Sequence, residues 1–392
     1  MHTARIAIVG AGLSGLYAAW LLERRGMRDY VVLEARDAVG GRIASFTPSP
    51  QATGAGTIDR FDLGPTWFWP GFQRELHELV TALGLQPFEQ FETGDMLVER
   101  SPDAPPTRTH GYANSPPSMR LVGGMGTLVE ALRGELDPAR IITGQTVRRA
   151  RIADPHVELD SEGAAGAVTS WRVEHVLLAL PPRLAEDRIE FSPALPQDLA
   201  RQWRATPTWM AAHAKYIAIY DDTSFWREQG LSGEARSACG PLVEIHDASM
   251  PGGSAALFGF FGVPAHVRSS VPEDVLLTHG RAQLTRLFGP QAAKPRAEVI
   301  KDWARDPHTA TAADMDAAAH HAEPPAATTA SGPWCGRLTG IASEWSPQFP
   351  GYVAGAVEAA RLGVQAVAAS GALLASNGPG DTSSADSDVS GQ

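Results

Sequence analysis

Arg5-Ile-Ala-Ile-Val-Gly-Ala-Gly-Leu-Ser-Gly15 is the stretch of sequence on which the fold depends. Its apolar start, residues 6–9, is typical of a buried parallel strand. Three glycines then follow in the spacing G-x-G-x-x-G. Gly10 permits a tight turn, Gly12 lets the backbone approach a pyrophosphate, and Gly15 lets a helix pack closely on the strand. The stretch therefore predicts a strand, a glycine turn and the start of a helix.

A second strand and an acidic residue complete this pattern. Residues 30–33 are an apolar run, and Glu34 follows directly after them. An acid about 20 residues after the glycines accepts hydrogen bonds from the ribose hydroxyls of an adenosine. A lone G-x-G-x-x-G is a weak signal, but here the strand, helix, second strand and acid occur in register. The sequence therefore predicts a dinucleotide-binding unit in which Leu13 and Ser14 also contact the ligand.

A second glycine-rich element follows Glu34. The chain continues with Ala35 and Arg36 and then with Gly40, Gly41 and Arg42. Adjacent glycines expose backbone N–H groups and the arginine adds a cation, so both suit a second contact with the pyrophosphate. Nicotinamide dehydrogenases do not usually carry this element. With it, the chain resembles the FAD-dependent amine oxidase family, which includes monoamine and polyamine oxidases.

The resemblance implies an α/β fold in which a discontinuous Rossmann-like FAD-binding domain is interleaved with an α+β substrate domain. The FAD-binding domain is predicted at residues 1–75, 117–205 and 302–372, the substrate domain at 76–116 and 206–301, and a disordered polar tail at 373–392.

Further motifs along the chain resemble segments that contact FAD in this family. Residues 61–67 match the segment that passes along the flavin, and a predicted strand near residue 145 matches the one whose backbone contacts the adenine. The closing segment, residues 336–360, matches the one that ends in a helix beneath the flavin. The residues predicted to bind the cofactor from these motifs are Gly64, Pro65, Thr66, Trp67, Val147, Trp303, Glu344, Tyr352 and Val353.

The resemblance also implies catalytic residues. Lys215 opens an alternating strand, and in the family this lysine holds a water beside the flavin N5 and is implicated in reoxidation of the flavin. Tyr352 is predicted to be one aromatic wall of the cage that orients the amine, and Trp67 is predicted to line the same cavity. The second wall is left open between Phe349, Trp345 and Trp67.

The stretch after Trp303 predicts how the cofactor is held. Family members with a covalently bound flavin carry Cys-Tyr shortly after this tryptophan, whereas this chain has neither residue there. FAD is therefore expected to bind non-covalently. The two cysteines, Cys239 and Cys335, are too few for a disulfide framework or a cysteine metal site. His320 and His321 are interpreted as a solvated loop, so no metal is expected.

Composition excludes several classes of protein. The 392 residues are 43 % hydrophobic and carry a net charge of −11, which argues against nucleic acid or anionic membrane as a partner. No signal peptide is visible, and the apolar stretch 352–375 contains Glu358 and Arg361, so it is interpreted as a buried helix. We therefore expect a cytoplasmic protein that acts on a small-molecule amine. The sequence does not indicate an oligomeric state.

Local patterns add expectations for the remaining segments. Apolar residues at helical spacing predict a helix over 76–83. The proline-rich stretch 101–117 is expected to be a loop. Thr127 and Glu130 are expected to form a capping box for a helix through residue 136.

The activity implied by the resemblance is oxidation of an amine. Hydride passes to the flavin N5, water hydrolyses the imine, and oxygen accepts the electrons as hydrogen peroxide. A flavin desaturase or L-amino-acid oxidase is the alternative within the superfamily, and the latter needs Arg100 or Arg108 turned inward to bind a carboxylate. A non-catalytic FAD-binding protein that acts through a partner is a further alternative. A nicotinamide-only dehydrogenase would not be yellow.

Overall fold

The computed structural model describes residues 1–48, 59–111, 114–221, 223–316 and 321–369. The tail predicted at 373–392 lies outside these residues. Among the described helices, none is both long and apolar enough to cross a bilayer.

The nucleotide sheet is the parallel sheet that the first strand organises. Its inner strands are buried along their whole length because helices cover one face and the strands of a second sheet, with two short helices, cover the other. This burial on both faces explains their unbroken apolar runs. The strands lie in the order Ile141–Ile142, Tyr30–Leu33, Ile6–Val9, His175–Leu178 and Leu338–Gly340.

Helices from both ends of the chain pack on this sheet. Leu13–Arg24 starts at the glycine turn and packs against Val353–Ala369, so two segments far apart in the sequence share one core. Arg74–Ala82 buries Leu76, Leu79 and Val80, as the helical spacing predicts. The remaining α-helices are Gly126–Gly134, Pro182–Arg188, Gln197–Ala205, Phe225–Glu228, Ala265–Arg268 and Glu273–Phe288.

The capping box predicted at Thr127 is wrong. The helix begins at Gly126, and the Thr127 hydroxyl donates to the Gly124 carbonyl at 2.7 Å. Glu130 accepts from Arg60 instead of turning back to the helix start. This tertiary ion pair is not visible in local sequence spacing.

The cavity sheet is the large mixed sheet that faces the nucleotide sheet. Its rear face packs on the helix Glu273–Phe288, with Tyr216 and Phe288 in one core. Its front face carries Lys215 and Phe260 side by side in register. Its strands lie in the order Ala297–Asp302, Ala214–Ile219, Ala256–Phe261, Leu242–Asp247, Leu231–Ser237, Asp95–Glu99 and Thr107–His110.

The stretch 101–117, predicted to be a loop, contains the edge strand of this sheet. Thr107–His110 pairs antiparallel with Asp95–Glu99 and is exposed along its length. An edge strand without apolar residues shows no alternation of apolar and polar side chains, so the sequence does not indicate it. Residues 112–113 lie outside the described part.

An outer sheet extends the nucleotide-binding region, with strands in the order His2–Thr3, Val168–Val173, His156–Glu162, Thr146–Ala153 and Glu190–Ser192. Two short pairs, Ser45–Phe46 with Phe61–Asp62 and Pro87–Glu89 with Met119–Leu121, connect the layers. The predicted α/β class with a Rossmann-like unit is confirmed, and the domain boundaries remain a prediction.

Candidate active site

A cavity of about 1150 Å³ lies between the nucleotide sheet and the cavity sheet. Pockets for a single drug-sized ligand span roughly 300–1,000 Å³. The cavity therefore has room for a dinucleotide and a small second molecule. Most of the predicted site residues line it, from the glycine turn at one end to Lys215 and Tyr352. Gly15 and Glu344 are the predicted residues that support its wall from behind.

The glycine turn forms a close-packed cradle. Gly10 has a φ of +105°, and a Cβ there would lie 2.9 Å from the Ala179 carbonyl oxygen. A Cβ at Gly15 would lie only 2.0 Å from the Gly10 carbonyl oxygen, so the helix could not start so close to the strand. Gly12 approaches Gly40 in a parallel bridge and lines the cavity. Backbone alone can reach a ligand here, as a pyrophosphate requires.

Glu34 ends the second strand with its carboxylate at the cavity. The residue is 3 % exposed, and its oxygens accept from the N–H groups of Ala11 at 2.6 Å and Arg36 at 2.9 Å. A carboxylate has about four acceptor sites, so two remain for ribose hydroxyls. Arg36 is itself fixed by Asp306 at 2.7 Å. This arrangement fits the adenosine end of a dinucleotide, beside Ala35 and Val147.

Arg42 lines the cavity but is paired from behind. Its guanidinium donates to both carboxylate oxygens of Glu344, at 2.6 and 2.9 Å, and to Ser343 at 3.2 Å. Burial alone would raise the pKa of the Glu344 carboxyl, but the charge and hydrogen bonds of Arg42 outweigh it and hold that pKa low. The fixed cation that the sequence predicts for a pyrophosphate is therefore largely neutralised within the protein.

Lys215 is buried at the cavity wall, with 2 % of its surface exposed. Its Nζ donates to Thr66 Oγ1 at 2.7 Å and to the Gly64 carbonyl at 3.2 Å, and it lies 4.0 Å from the centre of the Phe258 ring. Burial lowers the pKa of this amine, and the buried Asp62 carboxylate opposes that effect. The structure thus joins the predicted lysine to the predicted Gly64–Trp67 segment.

Trp303 and Gly64 close the wall beside the lysine. The Trp303 indole donates to the Leu63 carbonyl at 3.1 Å. A Cβ at Gly64 would lie 2.0 Å from the Arg42 carbonyl oxygen and 3.5 Å from the indole. A glycine is therefore required at this position. Pro65 lies at the same wall.

The helix Val353–Ala369 begins at the cavity. Gly351 precedes it with a φ of +83°, and a Cβ there would lie 2.7 Å from Trp209. The first N–H groups of a helix have no partner within the helix and form the positive end of its dipole. Val353 lines the cavity. This end of the helix can stabilise negative charge on a bound ring.

Aromatic rings line the part of the cavity between Lys215 and this helix. Trp67 donates to Gln90 at 2.9 Å, and Tyr352 is 38 % exposed with Trp69 perpendicular to it at 6.5 Å. Of the candidates for a second wall, Trp67 lines the cavity. Trp345 packs against Trp203 instead, and Phe349 packs into the core under the closing helix.

Two aromatic residues of this region were not predicted. Trp209 lines the cavity and stacks on His321, which in turn stacks on Tyr352. Neither residue lies in a motif that marks it. His321 was interpreted as a solvated loop residue, and this is corrected: it is half-buried between two rings.

The arginines that an amino-acid oxidase would need do not reach the cavity. Arg108 is exposed on the edge strand and donates to Asp95 at 3.1 Å. Arg100 is also exposed. Neither Cys239 nor Cys335 lines the cavity, and the described residues contain no cluster of three or more potential metal ligands.

The geometry of the cavity fits FAD. The glycine cradle, the buried Glu34 carboxylate and the helix start at Val353 lie along one continuous cavity. They match the needs of a pyrophosphate, a ribose and an electron-accepting ring, respectively. The lining contains no cysteine for a covalent bond, so the predicted non-covalent binding fits the site.

Comparison with known proteins agrees with this geometry. The family model for flavin containing amine oxidoreductase matches residues 108–368, and the model for an NAD(P)-binding Rossmann-like domain matches residues 8–83. The chain is 25 % identical to putrescine oxidase of Kocuria rosea over 94 % of this chain and 96 % of that protein. It is 24 % identical to a probable flavin-containing monoamine oxidase A of Dictyostelium discoideum, over 78 % and 84 % of the two chains.

Solved structures share the fold. A putrescine oxidase bound to putrescine superimposes with a TM-score of 0.74 at 20 % identity, covering 94 % of this chain and 99 % of that one. The cyclohexylamine oxidase of Brevibacterium oxydans gives a TM-score of 0.75 at 19 % identity, with 93 % and 99 % covered. Because the first family match alone spans more than half of the sequence, the chain belongs to the flavin-containing amine oxidoreductases, and its cofactor is FAD.

Proposed function

We propose that this protein oxidises amines that carry a second positive charge, with oxygen as the electron acceptor. When bound, FAD supplies the redox chemistry, taking a hydride from the carbon that bears the nitrogen and passing electrons to oxygen as hydrogen peroxide. Water then hydrolyses the released imine. The protein's own residues bind the amine, orient it and set the electrostatics of the site.

The observation that carries the proposed oxidation is the placement of Lys215. Its Nζ is held by Thr66 and Gly64 at the wall of the cavity and is almost fully buried. In its protonated form, this amine is fixed in a site with little water and interacts strongly with nearby negative charge. Lys215 is therefore suited to stabilise charge that develops during the reaction, without reorganising.

Aromatic residues supply the surface against which an amine packs. Tyr352 and Trp69 stand perpendicular at 6.5 Å, and Trp67 lines the cavity on the side of Phe258. Aromatic faces attract cations and also exclude water from the carbon that reacts. These rings would hold the carbon–nitrogen bond in one orientation.

Glu244 supports a substrate with a second cation. It lines the cavity and is the cross-strand partner of Phe260, which is in turn the partner of Lys215. Adjacent strands lie about 4.8 Å apart, so Glu244 is roughly 10 Å along the sheet from the lysine. His246 donates to its carboxylate at 2.7 Å and Arg236 pairs with it. Burial favours a higher pKa for the Glu244 carboxyl, but these partners outweigh it and lower that pKa.

The similarity to putrescine oxidase supports the same substrate class, because putrescine is a diamine. One nitrogen, as the uncharged amine that is oxidised, would lie among the aromatic rings, and the other, as an ammonium, would reach Glu244. A carboxylate engaged by two partners still has acceptor sites free.

An anaerobic panel tests the proposal. Monoamines, diamines and amino acids are mixed with the holoprotein, and bleaching of the yellow flavin is followed, after which oxygen is admitted and peroxide is assayed. Diamines are expected to bleach the flavin at the lowest concentrations. Bleaching by amino acids alone would favour the amino-acid oxidase alternative. No bleaching by any amine would leave the non-catalytic alternative standing.

The variant Glu244→Gln tests the second cation. Loss of one charge-assisted contact costs about 1.5–3 kcal/mol, so the dissociation constant for diamines should rise roughly ten- to a hundredfold. Monoamines are the internal control and should bind as to the wild type. An equal effect on both classes would show that Glu244 acts on the fold rather than on the substrate.

A further inference from the structure

Three rings form a continuous stack at the edge of the amine site. The imidazole of His321 lies 3.6 Å from the centre of the Trp209 ring, with 25° between the planes. On its other side it lies 4.4 Å from the Tyr352 ring, with 18° between the planes. His321 therefore fills a slot whose two walls are aromatic.

The first wall is held rigidly. The Trp209 N–H donates to Glu344 at 3.2 Å and its carbonyl accepts from Arg42 at 3.3 Å, so both backbone polar groups of this residue are fixed. The next residue, Met210, has a φ of +63°, a conformation that residues other than glycine rarely adopt. Such a turn persists only when its surroundings determine it. The backbone that carries the Trp209 ring is thus held by the Arg42–Glu344 pair.

The second wall of the slot is Tyr352, which orients the amine in the proposed function. Tyr352 lines the amine site directly before the helix Val353–Ala369, and Trp69 stands perpendicular to it. A ring has two faces, and His321 covers one of them. A substrate can therefore approach Tyr352 only from its free face or its edge.

His321 comes from a segment of the chain separate from both walls. Its Nδ1 is buried without a hydrogen-bond partner among the described residues. It also borders a small adjoining cavity together with Glu344 and Pro350. Its ring contacts the two aromatic faces, and a hydrogen bond to the Pro350 backbone holds the imidazole between them.

We propose that His321 is a positioning and specificity-determining residue, which fills an aromatic slot between Trp209 and Tyr352 and so confines amines to the free side of the tyrosine. This inference rests on the proposed amine oxidation. Two parallel aromatic faces about one ring apart are suited to alkylated ammonium groups. With His321 in place the slot is closed to alkylated ammonium groups, and removal of the His321 side chain would open the slot to them.

Ligand binding tests the slot without turnover. The oxidised holoprotein is titrated with tetramethylammonium, and binding is followed by tryptophan fluorescence. His321→Ala is expected to bind this cation about tenfold or more tightly than the wild type, the scale of contact with desolvated aromatic faces. His321→Phe refills the slot and should not gain affinity. Glu323→Ala, an exposed residue of the same segment, is the matched control.

Kinetics test the positioning role. His321→Phe keeps a stacked ring, whereas His321→Gln keeps a similar polar side chain without one. The phenylalanine variant is expected to keep the wild-type KM for amines, and the glutamine variant to raise it about tenfold with a smaller change in kcat. Equal KM values for His321→Phe and His321→Gln would overturn the proposal, even if His321→Ala failed to fold. Equal tetramethylammonium affinity in the wild type and a folded His321→Ala would also overturn it.

These outcomes separate the two proposals. The titration requires no substrate, so a gain of affinity in His321→Ala supports the slot even if every amine fails to bleach the flavin. Bleaching by amines with no effect of any His321 variant would leave the proposed function standing and remove this inference.

Discussion

Arg42 and Glu344, 302 positions apart in the sequence, form a two-point ion pair directly behind the cofactor cavity. The pair connects the glycine-rich loop after the second strand to the segment before the closing helix. It also fixes the backbone of Trp209 through both partners. The geometry of the cradle and that of the amine site therefore depend on the same two charges.

Breaking this pair is expected to be costly. Arg42→Met leaves the Glu344 carboxylate, which is 3 % exposed, buried without its counter-charge. Loss of one partner of a buried pair destabilises a protein by about 3–5 kcal/mol. Urea unfolding of the apoprotein measures this. The double variant Arg42→Met with Glu344→Gln should recover part of the loss, and the absence of any recovery would mean that the two charges do not interact.

Glu34→Gln is expected to weaken FAD binding. The amide keeps the size of the side chain but offers one acceptor in place of two charged ones. Loss of a charge-assisted hydrogen bond costs about 1.5–3 kcal/mol, so the dissociation constant for FAD should rise roughly ten- to a hundredfold. Titration of the apoprotein with FAD measures the change. Because Glu34 also accepts from Ala11 and Arg36, unfolding of the apoprotein serves as the control for the fold.

Lys215→Met is expected to separate the two half-reactions. Methionine keeps an apolar stem of similar length and removes the charge, so FAD should still bind. Reoxidation by oxygen in stopped flow should slow by about tenfold or more, as when one preorganised electrostatic group is lost. Reduction by the amine should change less. Lys294→Met, at an exposed position, is the control, and wild-type rates in both half-reactions would make Lys215 an ordinary strand residue.

FAD is expected to leave the protein on acid precipitation. The cavity lining contains no cysteine, and the stretch after Trp303 lacks one in the sequence. The yellow colour should therefore appear in the supernatant. A flavin that stays with the pellet would contradict non-covalent binding, and peptide mapping would then identify the attached residue.

His175 is expected to make stability depend on pH. Burial lowers the pKa of its imidazole from 6.5 to about 4, although its hydrogen bond to the Gly336 carbonyl opposes this. The folded state then takes up a proton less readily than the unfolded state, so the contribution is complete above pH 6.5 and is lost as the pH falls towards 4. The loss should reach about 3 kcal/mol.

Unfolding at a series of pH values measures this loss. His175→Gln should abolish the loss of stability at low pH. His110→Gln, at an exposed position, should lose as much stability as the wild type. Identical pH profiles for His175→Gln and the wild type would assign the acid sensitivity to other groups.

The sequence identified the parts of the site that are built from local geometry. The glycine turn needs residues without a Cβ at fixed spacing, and Glu34 must end a strand, so both leave a pattern in the chain. Lys215 and the Gly64–Trp67 segment were found because they resemble family motifs. The predictions of their cofactor and catalytic roles await the experiments above.

Contacts between distant segments left no such pattern. Nothing near Trp209 or His321 marks them as neighbours, because the stack forms only when three separate segments meet. The pairing of Arg42 with Glu344 is likewise a tertiary contact, whereas the sequence indicated an arginine that contacts the pyrophosphate. The edge strand Thr107–His110 was missed because none of its side chains is buried.

The packing of the helix Leu13–Arg24 against Val353–Ala369 has a consequence for synthesis of the protein. On the ribosome the glycine turn emerges well before the closing helix, which completes the wall of the cavity. A nascent chain is therefore expected to reach its full affinity for FAD late in translation. FAD binding would then follow the synthesis of the closing helix and stabilise the packing of these two helices.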